Sequence, residues 1–100
     1  MEGGRIRVKI FGTLRLDLGL GGVVLDLSGE VNLKGVLECL AQSLGEEKGR
    51  ILREKLFEGQ ALRPGVIILK NGINILHLKG LSTPICGGES LSIFPPGGGG

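Results

Sequence analysis

One hundred residues make one domain with room for a modest core. Apolar residues are 41% of the chain, nearly all Leu, Ile and Val, with no Trp or Tyr and three Phe, too few aromatic faces to read nucleic-acid bases by stacking. The formal net charge is +2, from twelve Lys and Arg dispersed among ten Asp and Glu. That leaves no basic patch, so nucleic acid is not expected as a partner.

The opening "MEGGRIRVKI" lacks the long apolar stretch of a signal peptide. The longest apolar run, "VIIL", falls far short of a membrane span. A soluble, cytoplasmic chain with no membrane partner is expected. Cys39 and Cys86 show neither metal nor redox spacing, and neither has an activating neighbour that would make it a catalytic thiol. They read as free thiols, and no metal site is expected.

In chain order, "RIRVKIF" alternates, with Ile6, Val8 and Ile10 on one side and Arg5, Arg7, Lys9 and Phe11 on the other, the pattern of a half-buried strand. "GTLRLDLGLGG" reads as a turn region. "VVLDL" follows as a second strand with Val23, Leu25 and Leu27 on one face, making a hairpin with the first. Asn32 caps a helix whose stripe is Leu33, Val36, Leu37, Leu40 and Leu44, and Gly45 stops it. Ile51, Leu52, Leu56 and Phe57 allow a second short helix before Pro64 and Gly65. "VIILKNG" is a strand closed by an Asn71-Gly72 turn, and "INILHL" pairs back as a shorter strand. "GLSTPICGGE" reads as loop. "SLSIF" is the last strand, with Leu91 and Ile93 on one face and Ser90, Ser92 and Phe94 on the other. Pro95 and Pro96 have no N–H, so strand pairing ends there.

Two strands, a helix and then more strands predict an α+β fold with the helix on one face of a mixed sheet. The long helical connection permits parallel pairing of the first and last strands. This is the order of the ubiquitin-like β-grasp: a mixed sheet of about four or five strands, one main helix on one face, and a flexible C-terminal tail. The domain spans residues 1–94 and the Gly tail 95–100. With the end strands parallel, Phe11 and Phe94 meet as exposed rings at the root of the tail, a candidate docking patch. Arg7 and Lys9 share that face and could meet acidic partner groups.

Three stretches, "VKIFGTLR", "LREKLFEGQALRPGVIILKNG" and "GLSTPICGGESLSIFPPGGGG", together resemble the small subunit of molybdopterin synthase, within the β-grasp sulfur carriers. A strand ending Phe-Pro-Pro ahead of a terminal Gly-Gly is the most specific part. The resemblance implies that an E1-like enzyme uses ATP to adenylate the C-terminal carboxylate of Gly100. A sulfur donor then converts it to a thiocarboxylate. The large synthase subunit takes the sulfur for the dithiolene of a molybdenum or tungsten cofactor. The chain would not be a catalyst alone and would bind no cofactor itself; the ATP belongs to the activating partner. Two departures stand out. The family's Asp-Gly-Asp or Asp-Gly-Glu turn is here Gly87-Gly88-Glu89, and side-chain-bearing residues before the final Gly-Gly are here Gly97 and Gly98.

The chemistry suits such a tail. A terminal carboxylate, with a pKa of about 3.5, is an anion and a poor electrophile until activated. Six extended residues, Pro95 to Gly100, span roughly 20 Å, enough to carry that carboxylate into a partner's active site. Gly99 and Gly100 have no Cβ to obstruct a narrow channel, while Pro95 and Pro96 supply a stiff extended stem. Three alternatives stay open: a ubiquitin-like modifier joined to lysines through the same activated end, a thiamine-pathway sulfur carrier, and a plain β-grasp interaction module with an idle tail.

Overall fold

A computed structural model describes residues 4–96. Five strands form the main sheet in the order β2-β1-β9-β6-β7, with β1 at Gly4–Ile10, β2 at Gly22–Leu27, β6 at Ile67–Lys70, β7 at Ile73–Asn74 and β9 at Ser90–Phe94. β1 runs antiparallel to β2 and parallel to β9, with Ile10 opposite Ile93. β6 runs antiparallel to β9, with Ile67 opposite Phe94. The central strand is therefore the last one, and the tail leaves from the middle of the sheet. This is the β-grasp arrangement expected from the order of elements.

Alternation fixes the faces. Ile6, Val8 and Ile10 of β1, Leu25 and Leu27 of β2, Ile68 of β6, and Leu91 and Ile93 of β9 are all buried in one cluster. Helix α2, Leu33–Ser43, lays Leu33, Val36, Leu37, Leu40 and Ala41 on it. The Asn32 side chain caps α2 by accepting from the Gly35 N–H at 2.8 Å. Each large aliphatic side chain buried this way contributes about 1.5–3 kcal/mol, so the stripe is what holds helix to sheet.

The helical layer holds three helices: the main helix α2, the second helix that Ile51, Leu52 and Leu56 allowed, and a third that was not expected. Helix α3, Glu46–Leu56, adds Leu52 and Leu56 to the core, with Phe57 just beyond its end. Helix α1, Gly12–Leu18, occupies the segment expected to be a turn. Leu14 and Leu18, one helical turn apart, are fully buried, while Leu16 is 79% exposed. Gly19 closes this helix in a left-handed conformation and donates its N–H to the Arg15 carbonyl at 3.0 Å.

Two further segments differ from expectation. The "INILHL" strand stops after Asn74, because the Asn74 side chain accepts from the Leu76 N–H at 2.9 Å and turns Ile75–His77 into a 3-10 helix. Two short pairs were not expected: β3 (Val31–Asn32) with β8 (Pro84–Ile85), the latter inside the stretch read as loop, and β4 (Phe57–Glu58) with β5 (Ala61–Leu62), which takes Phe57 out of the second helix. A second 3-10 turn, Gly80–Ser82, precedes β8. The Asn71-Gly72 turn between β6 and β7 forms as expected, with φ of 50° and 85°.

Candidate functional site

The three helices bury their apolar sides against one face of the sheet, and the other face carries the side chains singled out above. Arg7 lies opposite Ser90 and Lys9 opposite Ser92 across the parallel pair. Val24 flanks Arg7 from β2, and Leu69 flanks Ser92 from β6. Arg7 and Lys9 are exposed, and among the described residues neither forms an ion pair, whereas Arg5 is bound to Asp26 at 3.0 Å. Two cations with no acidic partner among the described residues therefore sit on this face.

At the end of the sheet nearest the tail, the ladder runs one residue past β1: the Phe11 N–H donates to the Ile93 carbonyl at 3.0 Å. That bond brings Phe11 level with Phe94. Their rings stack with centroids 4.5 Å apart and planes 7° apart. The expectation of two exposed rings is corrected, since each half-buries the other. Ile67, opposite Phe94 on β6, is 45% exposed and extends the apolar surface. This third member was not singled out in the sequence, although its place at the start of "IILK" put it on the Phe94 side once β6 was paired with β9.

Pro95 and Pro96 follow directly and rest against the body. A β-carbon placed on Gly12 would lie 3.2 Å from Pro95 Cγ, and one on Gly65 would lie 3.5 Å from Pro96 Cα and Cβ. Gly97, Gly98, Gly99 and Gly100 lie outside the described residues. The Gly87-Gly88-Glu89 turn is closed by the Glu89 N–H donating to the Cys86 carbonyl at 3.2 Å. The Glu89 carboxylate accepts from the Cys86 N–H at 2.7 Å and pairs with Lys70 Nζ at 3.3 Å. Cys39 and Cys86 are both exposed free thiols. Among the described residues no three His, Cys, Asp or Glu side chains gather as metal ligands would, and no helix is long and apolar enough to cross a membrane.

A family model described as the ThiS family matches residues 8–100. The chain belongs to the ThiS family. The match takes in both rings, both prolines and the glycine tail. ThiS-family chains are small ubiquitin-like sulfur carriers, not catalysts on their own. The resemblance seen in the sequence holds at this level. The chain is similar to small archaeal modifier protein 3 of Haloferax volcanii, 28% identical over 95% of this chain and 98% of that protein. Its fold matches the solution structure of the Haloferax volcanii HVO 2177 protein with a TM-score of 0.77 and 30% identity, over 97% of this chain and 87% of that one. It also matches small archaeal modifier protein 1 of Methanosarcina acetivorans, with a TM-score of 0.71 and 28% identity over 97% of each chain.

Proposed function

We propose that this ThiS-family chain is a sulfur carrier whose reacting group is the terminal carboxylate of Gly100, and that it serves a molybdenum or tungsten cofactor as the small subunit of molybdopterin synthase. One observation carries the reading: a stacked Phe11–Phe94 pair sits on the open sheet face at the root of a Pro-Pro-Gly tail. Phe94, Phe11 and Ile67 supply the docking surface, and Arg7 and Lys9 meet acidic groups of the partner. Pro95 and Pro96 lead the tail outward. Gly97, Gly98 and Gly99 let it pass a channel that admits little more than backbone.

In the cytoplasm, an E1-like enzyme holds the ATP. A carboxylate oxygen of Gly100 attacks the α-phosphorus and pyrophosphate leaves, giving an acyl-adenylate. Sulfide from the donor then attacks the carbonyl carbon and AMP leaves, so the product is the thiocarboxylate. The large subunit takes that sulfur into the pterin. The chain binds no cofactor of its own.

The test is the intact mass of the chain after incubation with a cognate E1-like enzyme, ATP and a sulfur donor. Exchange of one oxygen for sulfur supports the carrier reading, and no change with an enzyme of proven activity refutes it. Deleting Gly100 should abolish the reaction and leave the fold intact. Loss of cofactor synthesis on deleting the gene, with rescue by the full chain and not by the Gly100 deletion, tests the molybdopterin role.

A second reading has its own support, since two of the similar proteins are named small archaeal modifiers. In it a lysine amine of a target protein attacks the same acyl-adenylate, and an isopeptide bond replaces the thiocarboxylate. Recovery of the chain covalently joined to lysines in cells would support it.

A further inference from the structure

Resting on the carrier reading, we propose that Gly12 and Gly65 form a two-point seat that aims the tail, and are positioning residues for activation of the terminal carboxylate. β9 ends at Phe94, and the next two residues are prolines. With no N–H they cannot donate to the ladder, so something other than donated sheet hydrogen bonds must hold them in line.

The register shows what does. Ile10 lies opposite Ile93 in the parallel pair, so two residues further on Gly12 is level with Pro95. Ile67 lies opposite Phe94 in the antiparallel pair, so two residues back Gly65 is level with Pro96. The two glycines extend the two neighbours of the central strand and stand on either side of the stem. Gly12 has φ of +68° and Gly65 has φ of +90°, the left-handed region in which side chains are disfavoured. Each proline therefore rests on bare backbone. At Gly12 the fit is tight enough that an added β-carbon, 3.2 Å from Pro95 Cγ and 3.3 Å from Cδ, would push the ring by a few tenths of an ångström. At Gly65 the 3.5 Å spacing is ordinary contact, so a side chain there acts mainly by straining the backbone.

Direction matters because of leverage. Four residues separate Pro96 from the reacting carboxylate, about 13 Å if extended. Where a partner's channel holds the tail extended, a tilt of roughly 10° at the stem would move such a tip by about 2 Å, and a misplacement of about 1 Å can cost on the order of a hundredfold in rate. A shift of the seat would leave Phe94 and Ile67 in place, so docking and carboxylate placement are separable.

The test is steady-state activation of the full chain by its cognate E1-like enzyme with ATP and the sulfur donor present, so that the acyl-adenylate turns over, following pyrophosphate release. It compares wild type, Gly12→Ala, Gly65→Ala, Pro95→Ala and the Gly12→Ala/Pro95→Ala double variant, each normalised to its folded fraction. The expected result is a kcat lowered about tenfold or more with KM changed by less than about twofold. The effect of Gly12→Ala should nearly vanish in the Pro95→Ala background, because both act through one contact. A proton NOE between Gly12 and Pro95 should be present in wild type, and the Pro95 and Pro96 resonances should shift in Gly12→Ala. Such a shift with unchanged kcat, no shift at all, or fully additive effects overturns the inference while the carrier reading stands. If Gly12→Ala does not fold, Pro95→Ala and Pro96→Ala carry the test, and unchanged kcat in both overturns the inference. A wild-type chain that an active cognate enzyme does not adenylate removes the carrier reading and this inference with it, even if the NOE confirms the contact.

Discussion

The rings of Phe11 and Phe94, 83 positions apart in the chain, lie stacked 4.5 Å apart at the end of the parallel β1–β9 pair. Stacked aromatic pairs contribute about 0.5–1.5 kcal/mol beyond the area they bury. Phe11→Ala and Phe94→Ala are each expected to lower stability by about 1–3 kcal/mol. In a double-mutant cycle by urea unfolding, the coupling should be about 0.5–1.5 kcal/mol; additive losses would show that the stack contributes nothing. The same variants should weaken binding to the E1-like partner by about tenfold or more, as loss of a buried aromatic anchor does. Titration of the folded variants at a temperature well below unfolding separates that loss from the stability loss.

Arg7 and Lys9 have a different expected signature. Both are exposed on the open face, where charges set encounter rate and salt dependence more than final affinity. Reversing both, in Arg7→Glu/Lys9→Glu, should slow association with an acidic partner surface by about tenfold at low salt. The difference should shrink as salt rises toward 1 M, where the Debye length is about 3 Å. Stopped-flow association over a salt series checks this. A rate insensitive to the double reversal would show that these cations form only a solvated strand face.

Much of this was legible in the chain because its period-2 signals are clean. Ile6, Val8 and Ile10 alternating with Arg7 and Lys9 named both the strand and its two faces, and the long connection allowed the parallel pairing that brings Phe11 to Phe94. Where two periods fitted, reading failed. Leu14, Leu16, Leu18 and Leu20 alternate like a strand or loop, while Leu14 and Leu18 alone have helical spacing. Only the 79% exposure of Leu16 decides it. The Phe57–Leu62 hairpin turns at Gly59-Gln60 and lacks the Asn-Gly or Asp-Gly signal. The seat under Pro95 and Pro96 depends on the register of three strands, a non-local property that no window of sequence contains.

The cap of α2 is a local device with a local cost. Asn32 adopts extended backbone and its side chain satisfies the Gly35 N–H, one of the donors a helix start leaves unpaired. Asn32→Ala should lower stability by about 1 kcal/mol, and Asn32→Asp should retain nearly all of it. Thermal unfolding of both, read by circular dichroism, decides. Equal losses from Ala and Asp would mean the side-chain oxygen is not the stabilising group.

The Gly87 departure has a steric cause that makes a sharper test. The turn brings Gly87 against Gly4 at the start of β1, and the Gly88 N–H donates to the Arg5 carbonyl at 2.8 Å. A β-carbon on Gly87 would fall 2.7 Å from Gly4 Cα and 3.2 Å from its nitrogen. Both are backbone atoms, so no rotamer change relieves the clash. Gly87→Asp is therefore expected to destabilise this chain by about 1–3 kcal/mol, the usual cost of overpacking. The strain should fall on the contact itself, between the turn and the first residues of β1. Amide exchange at Gly88 should then quicken more than exchange at Ile93 in the middle of the sheet. Urea midpoints together with residue-resolved hydrogen exchange check both parts. A Gly87→Asp chain as stable as wild type, with Gly88 still protected, would show that the two backbones separate freely and that the Gly4–Gly87 contact does not exclude a side chain.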